Sequence, residues 1–175
     1  PIEIIKVWQG GMAFHGGLLG VTVAMWLFAR RQGLSVLAVS DRGAMVTPIG
    51  LFLGRLSNFI NAELQGRVTD VPWAMVFARG DGMPRHPSQL YEAGLEGLGL
   101  GLVMLVGARR GWLDRTGLLT AVLLIGYGAA RFGIEYVREP DTQLGLLAGM
   151  ITMGQLLCLP MLAAGTYLLW RQQRR

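Results

Sequence analysis

Five apolar runs, three of which carry arginines or carboxylates inside them, constrain this chain more than any other feature of its sequence. The runs cover 12–29, 44–62, 87–108, 116–136 and 146–170, each close to the about 20 mostly apolar residues that cross a bilayer. Only 15% of the 175 residues are charged and 52% are hydrophobic, whereas an ordinary soluble domain carries roughly 25% charge. The deficit extends along the whole chain rather than marking one greasy segment. Lipid offers no partner to a backbone N–H or C=O, so spans of this composition have to be helices. The expected fold class is an all-α polytopic membrane protein with about five transmembrane helices, built as a single integral membrane domain over 1–175. A net charge of +5 would suit a nucleic-acid binder. The basic residues, however, sit in short connectors and make no continuous stripe, so no nucleic-acid partner is expected.

The connectors are short except for 64–86. That stretch holds Asp70, Pro72, Gly80, Asp81, Gly82 and Pro84, all turn formers, and reads as an ordered extramembrane loop between the second and third spans. Orientation follows from the basic connectors. Arg30, Arg31, Arg42, Arg109, Arg110, Arg115, Arg171, Arg174 and Arg175 fall on one side, while Lys6, Arg67, Arg79, Arg85 and Arg138 fall on the other. Lysine and arginine accumulate on the cytoplasmic side, which puts the first set inside and the long loop outside. The opening residues lack the basic and apolar regions of a signal peptide. The chain also opens without methionine, so a longer parent protein is expected. Gly97 and Gly101 form a GxxxG pair in the third span and predict close helix packing. The single cysteine, Cys158, sits between Leu157 and Leu159 and reads as an apolar filler.

An ionisable side chain at the centre of a membrane helix costs at least about 2.5 kcal/mol on insertion scales, so each one needs a reason. At about 100° per residue, Arg55, Asn58 and Glu63 fall within roughly 140° of one another, and Tyr127, Arg131, Glu135 and Arg138 within roughly 80°. His15, followed by Gly16 and Gly17, lies near the outer end of the first span. All three sets occupy the outer halves of their spans, where they can meet at one outward-facing site.

Structural readings stand beside this one. Arg131 and Glu135 at i, i+4 can be an ion pair, and Arg55 can pair with Glu63 or snorkel to headgroups. His15 can be a packing residue, and Glu92 and Glu96 in the third span can serve only to satisfy arginines. His86 reads as the loop leading into a helix, with Ser88 as its cap. Taken together, two separated arginines facing one pocket point to an anionic ligand, because guanidinium offers phosphate paired donors. In a membrane the abundant anion with an apolar body is a phospholipid. A histidine with a pKa near ~6.5 could take a proton from a thiol near ~8.5 if the two were aligned.

These residues occur in blocks that resemble the prolipoprotein diacylglyceryl transferase family. The blocks are Val7-Trp8-Gln9-Gly10-Gly11-Met12 through His15-Gly16-Gly17-Leu18, then Gly54-Arg55-Leu56-Ser57-Asn58-Phe59-Ile60-Asn61-Ala62-Glu63 with Gly66 beyond. Arg85-His86-Pro87-Ser88-Gln89-Leu90-Tyr91-Glu92 follows, then Tyr127-Gly128 through Arg131-Phe132, Glu135 and Arg138-Glu139-Pro140-Asp141, and finally Thr152-Met153-Gly154-Gln155. They run in family order over nearly the whole chain. The family's members begin with further membrane helices upstream, which this chain lacks.

The resemblance implies transfer of the diacylglyceryl group of phosphatidylglycerol to the lipobox cysteine thiol of a prolipoprotein signal peptide. The reaction releases glycerol phosphate, at the periplasmic side of a bacterial inner membrane. It also implies that His15, Arg55, Asn58, Glu63, Gly66, Tyr127, Arg131 and Glu135 are functional positions. On that basis Arg55 and Arg131 are expected to hold the phosphate and His15 to act as base. Glu135 is expected to orient Arg131 or the imidazole, and Asn58 and Tyr127 to donate hydrogen bonds, with Glu63, Gly66 and Arg138 also at the headgroup. Neither a metal nor an organic cofactor is expected. The competing reading is an anion or lipid transporter, or a lipid-binding membrane scaffold, with an arginine site. Such a protein often shows inverted repeats, and none is visible here.

Overall fold

The computed structural model describes the backbone of residues 14–78, 80–139, 146–147 and 151–174, and the side chains of all of these except 14, 15, 146 and 147. The expected first span is helix α1 (Phe14–Arg31), and the second is α2 (Val36–Ile60). The third is one continuous span over Ser88–Arg109. It consists of α3 (Ser88–Glu92), a π-helical segment (Ala93–Gly99) and α4 (Leu100–Arg109). A 3-10 turn over Trp112–Asp114 leads to α5 (Leu118–Ile134). A two-stranded antiparallel pair, β1 (Leu146–Leu147) and β2 (Ile151–Thr152), precedes α6 (Met153–Gln173).

The protein is a multi-pass helical membrane protein. Three of these helices, Val36–Ile60, Ser88–Arg109 and Met153–Gln173, are long and apolar enough to cross a bilayer, and α5 is a shorter apolar helix. Leu19, Ile49, Leu53, Leu98, Leu102 and Leu157 are exposed. An apolar solvent is what such a surface requires.

Two span boundaries differ from those read in the sequence. The second span begins at Val36, not at 44, because Asp41 and Arg42 lie within the helix instead of in a connector. No glycine or proline interrupts 36–42, so local sequence gave the helix no reason to start later. The last span begins at Met153, not at 146. Thr152 caps it by accepting from the Gln155 amide, while the Gln155 side chain accepts from the Thr152 amide. That reciprocal box fixes the helix start, and residues before it are free to form the hairpin.

The helices approach closely where glycine removes a side chain. A Cβ at Gly97 would stand 2.6 Å from Phe52 Cβ and 2.7 Å from its Cα, and one at Gly101 would meet Pro48 at 3.4 Å. The expected GxxxG contact therefore forms, and its partner is α2. A Cβ at Gly165 would reach Ile125 at 2.7 Å and one at Gly128 would reach Leu162 at 3.2 Å, which seats α6 on α5. The third span runs antiparallel to α2 by these contacts, and antiparallel to α5 because Leu100 meets Gly126 while Glu92 meets Arg131, so α2 and α5 point the same way. A small core of Ala44, Leu100, Met104 and Leu119, flanked by Trp112 and Tyr127, fills the space between them.

One end of the α2–α5 pair is held by a buried acid. Asp41, fully buried on α2, accepts from the Gly117 amide at 2.5 Å and from the Thr120 amide and hydroxyl at 2.8 and 2.7 Å. The N-cap of α5 is Gly117, which has no side chain to cap with. Asp41 supplies the missing acceptors from a neighbouring helix, where a negative charge is also favoured by the helix dipole.

Candidate functional site

At the opposite end of the same two helices, charges gather instead of being dispersed. Arg55 lies in the last turns of α2 and Arg131 in the last turn of α5. Glu92, 1% exposed at the end of α3, stands between them. Its Oε2 is 2.7 Å from Arg55 Nε, and its Oε1 accepts from Arg131 Nη1 at 2.8 Å. Arg138 Nη1 is 3.8 Å from the same Oε1. Arg131 Nη2 lies 3.0 Å from Glu135 Oε2, so the expected i, i+4 pair forms alongside the contact between helices. Arg55 Nη2 is 3.7 Å from Glu96 Oε2, which is too long for a hydrogen bond.

The cluster is incompletely satisfied. Both Glu96 oxygens, Gln89 Oε1 and Glu135 Oε2 are buried without a hydrogen bond among the described residues; the Glu135 oxygen has its ion pair but not the geometry of a bond. Among the described residues the two terminal nitrogens of Arg55 make no hydrogen bond, so donors remain on a guanidinium whose side chain is 18% exposed. Glu96 sits on the π-helical segment, whose extra residue per turn re-aims side chains relative to an ordinary helix. Glu135 also lies against the first turn of α6: a Cβ on Gly154 would fall 2.7–2.9 Å from its carboxylate, which would have to move aside.

The stripe expected on α5 is largely realised. Arg131, Glu135 and Arg138 all enter the cluster. Tyr127, half-buried one turn below Arg131, packs toward the core beside Leu100 and Met104. The expectation for α2 needs correction at Glu63. The helix stops at Ile60 with Asn61 as its cap, so helical phase no longer governs residue 63. Ala62 and Leu64 take left-handed backbone (φ 55° and 54°), a conformation uncommon for residues with a side chain, and Glu63 between them is exposed. Among the described residues Arg55 pairs with Glu92 and Glu96 of the third span and not with Glu63. Asn58 remains on α2, half-buried, and its carbonyl accepts from the Glu63 amide at 2.9 Å. Residue His15 lies in the first turn of α1, and its side chain is outside the described residues.

The loop after α2 is fastened to the start of the third span. Gln89 Nε2 donates to the Glu63 carbonyl at 2.5 Å and Ser88 Oγ to that of Leu64 at 3.2 Å. Ser88 is therefore a tether, not the expected cap; the N-cap position is Pro87, with no side-chain bond. Gly66 is a joint of the backbone. Its amide donates to the His86 carbonyl, and an added Cβ would lie 2.5 Å from that oxygen and 2.8 Å from the Val137 carbonyl. It also bridges to Arg138, so its part in the site is to bring the loop against the end of α5.

Arg85 braces the same joint. Its Nε and Nη2 grip Asp81 at 3.2 and 2.8 Å, and its Nη1 donates to the Gly66 carbonyl and to Glu139 at 2.9 and 2.8 Å. The Arg85 guanidinium holds the Asp81 carboxyl down at about 2, and Asp81 in turn raises Arg85. Half-buried His86 stacks edge-on to Tyr91 at 5.9 Å, and its Nδ1 is 3.3 Å from the Tyr91 hydroxyl. That hydroxyl accepts from Trp73 Nε1 at 2.6 Å. Cys158, 2% exposed, packs behind Gly128, consistent with a filler. Among the described residues no group of three or more His, Cys, Asp or Glu is placed to hold a metal ion.

The expectation that Glu92 satisfies arginines is met, but sequence phase within one helix did not say that Arg55 and Arg131 share it, nor point to Asp41. For Glu92 the available signal was its place at i, i+4 from Glu96 in an apolar span, where an acid calls for a counter-ion.

The family model described as prolipoprotein diacylglyceryl transferase matches residues 1–171. The chain is 57% identical over 175 residues to a phosphatidylglycerol–prolipoprotein diacylglyceryl transferase of Methylocella silvestris, an alignment covering 100% of the chain and 64% of that protein. It is 54% identical to a protein of the same name in Allorhizobium ampelinum, covering 99% of the chain and 61% of the relative. A third, in Vibrio vulnificus, is 51% identical over 99% of the chain and 64% of its own length. The chain thus spans just under two thirds of the length of these curated relatives.

Proposed function

The chain belongs to the prolipoprotein diacylglyceryl transferase family, and on that premise we propose that the protein transfers the diacylglyceryl group of phosphatidylglycerol to the lipobox cysteine of a prolipoprotein. The observation that carries this reading is the pair of arginines from two helices, Arg55 and Arg131, held by one buried carboxylate. Guanidinium groups set in this way suit a phosphodiester, and a partly buried site strengthens the attraction.

In the proposed reaction the cysteine thiol gives its proton to His15, and the thiolate attacks the glyceryl carbon next to the phosphate. A carbon–sulfur bond forms while the carbon–oxygen bond breaks. The electron pair leaves with the phosphate oxygen, releasing glycerol phosphate. Arg55 and Arg131 stabilise the charge that grows on that oxygen. Glu135 keeps Arg131 in place, Arg138 adds positive charge at the rim, and Asn58 and Tyr127 donate to the headgroup. Gly66 and Glu63 shape the loop that borders the site.

Basic residues concentrated at the far ends of the helices support a site facing the periplasmic side of the inner membrane. The relatives named above are all named as transferases, which leaves the transporter alternative without support. The deciding experiment measures glycerol phosphate released from phosphatidylglycerol vesicles on addition of a lipobox peptide. Peptide-dependent release is expected, and its absence in active membranes would reject the reading. A His15→Gln variant with an unchanged rate and pH profile would remove the base and leave the phosphate clamp.

A further inference from the structure

We propose that Glu92 is a positioning residue for the transfer reaction, fixing the spacing and orientation of the two guanidinium groups; this rests on the phosphate-clamp reading above. The two arginines are on different helices and have no direct contact among the ion pairs of the described residues. Their common partner is one carboxylate, with Arg55 Nε on Oε2 at 2.7 Å and Arg131 Nη1 on Oε1 at 2.8 Å. A carboxylate is rigid and planar, so opposite oxygens hold the two cations at a set separation. Glu92 uses one edge of each guanidinium, and the terminal nitrogens of Arg55 remain without hydrogen bonds among the described residues.

The carboxylate is itself held from behind. It terminates α3, where the helix changes to the π-helical segment. One turn further on, Gly97 lies against the backbone of Phe52, three residues before Arg55 on α2. The backbone on both sides of the Arg55–Glu92 pair is thereby locked. Next to it, Gln89 ties the first turn of the same span to the Glu63 carbonyl. A group with 1% exposure is poorly placed to touch a substrate; acting through the arginines is the role its position allows. Electrostatically, it offsets like-charge repulsion that would otherwise push Arg55, Arg131 and Arg138 apart when no phosphate is present.

The test uses the protein expressed from its complete reading frame, in phosphatidylglycerol vesicles, with rates taken per folded molecule. Glu92→Gln keeps length and shape but replaces one acceptor by an N–H donor that turns an arginine away. An expected loss of about 100-fold in kcat, with a smaller change in KM, is what displacement of a catalytic charge by about 1 Å produces. Glu92→Asp keeps the charge on a shorter arm and is expected to lose about tenfold. In an Arg55→Ala background, Glu92→Gln should cost less than about threefold more, because a residue acting through a partner shows non-additivity.

A Glu92→Gln rate within about threefold of the parent, or an undiminished loss in the Arg55→Ala background, would overturn the proposal. Should Glu92→Gln not fold, Glu92→Asp decides by the same threefold limit. If Arg55→Ala and Arg131→Ala themselves keep full transfer, it is the clamp reading that fails, and the two failures are told apart in one assay.

Discussion

Asp41 and Glu92 are both carboxylates taken out of solvent in an apolar bundle, near opposite ends of the same pair of helices, yet their surroundings differ in kind. Asp41 meets three N–H or O–H donors within 2.8 Å and has no arginine partner among the ion pairs of the described residues. Its partners are backbone and hydroxyl groups that have nothing else to do. Glu92 meets two arginines closely and a third at 3.8 Å, beside Glu96, whose oxygens accept no hydrogen bond among the described residues. A saturated acid closes a helix end and leaves nothing for a ligand. An acid that gathers mobile cations beside unsatisfied groups leaves unspent interaction, which is what a binding site requires. Burial alone does not separate structure from function, whereas the accounting of partners does.

The contrast can be broken most sharply at the arginines. Arg131→Ala is expected to reduce diacylglyceryl transfer by about 10²–10³-fold, as loss of a charge-stabilising donor does elsewhere, while the folded protein survives in detergent. Normal transfer to a lipobox peptide would erase the functional half of the comparison. Asp41→Ala is expected to show the reverse pattern. It orphans the Gly117 and Thr120 amides and should lower unfolding free energy by about 1–3 kcal/mol, read by thermal unfolding, with the rate per folded molecule unchanged. A kinetic loss without a stability loss would reverse the assignment of the two ends.

Thr120→Val removes one of the three bonds to Asp41 and should cost about 1 kcal/mol, seen as a fraction of the Asp41→Ala shift. The smallest effect concerns Asp81, which is outside both centres. Its folded pKa of about 2 lies below the usual 3.8, so its tie to Arg85 is fully present above the unfolded value and is lost as pH falls through about 2. Hydrogen exchange at the Met83 amide, which donates to Asp81, should approach its intrinsic rate only near the bottom of that window. Loss of protection already at pH 5 would contradict the tie.

Much of the bundle could be read from residue order, because a span announces itself by length and composition. Errors fell at ends. Asp41-Arg42 looked like a connector because charges usually mark one; nothing local breaks the helix there, and the α5 N-terminus beside it gives the buried acid its partners. Glu63 looked helical because periodicity carries no information about where a helix stops, and the stop at Ile60 is enforced by the left-handed backbone at Ala62 and Leu64. Phase correctly grouped Arg131, Glu135 and Arg138, which lie on consecutive turns of one chain segment. The same method had no means to assign Glu92 to both arginines.

The sequence by itself determined that this is a helical membrane protein, that its costly internal charges include two arginines suited to phosphate, and that its blocks follow one family. Periodicity and composition are properties of single segments, and those conclusions need nothing more. Only the tertiary structure decided which acid each cation meets, why Gly66 and Gly97 cannot carry a side chain, and which buried carboxylate is spent on a helix end. Those outcomes depend on the rotation and register of one helix against another. The close contacts that set them, such as Gly97 on Phe52, join residues 45 positions apart in the chain.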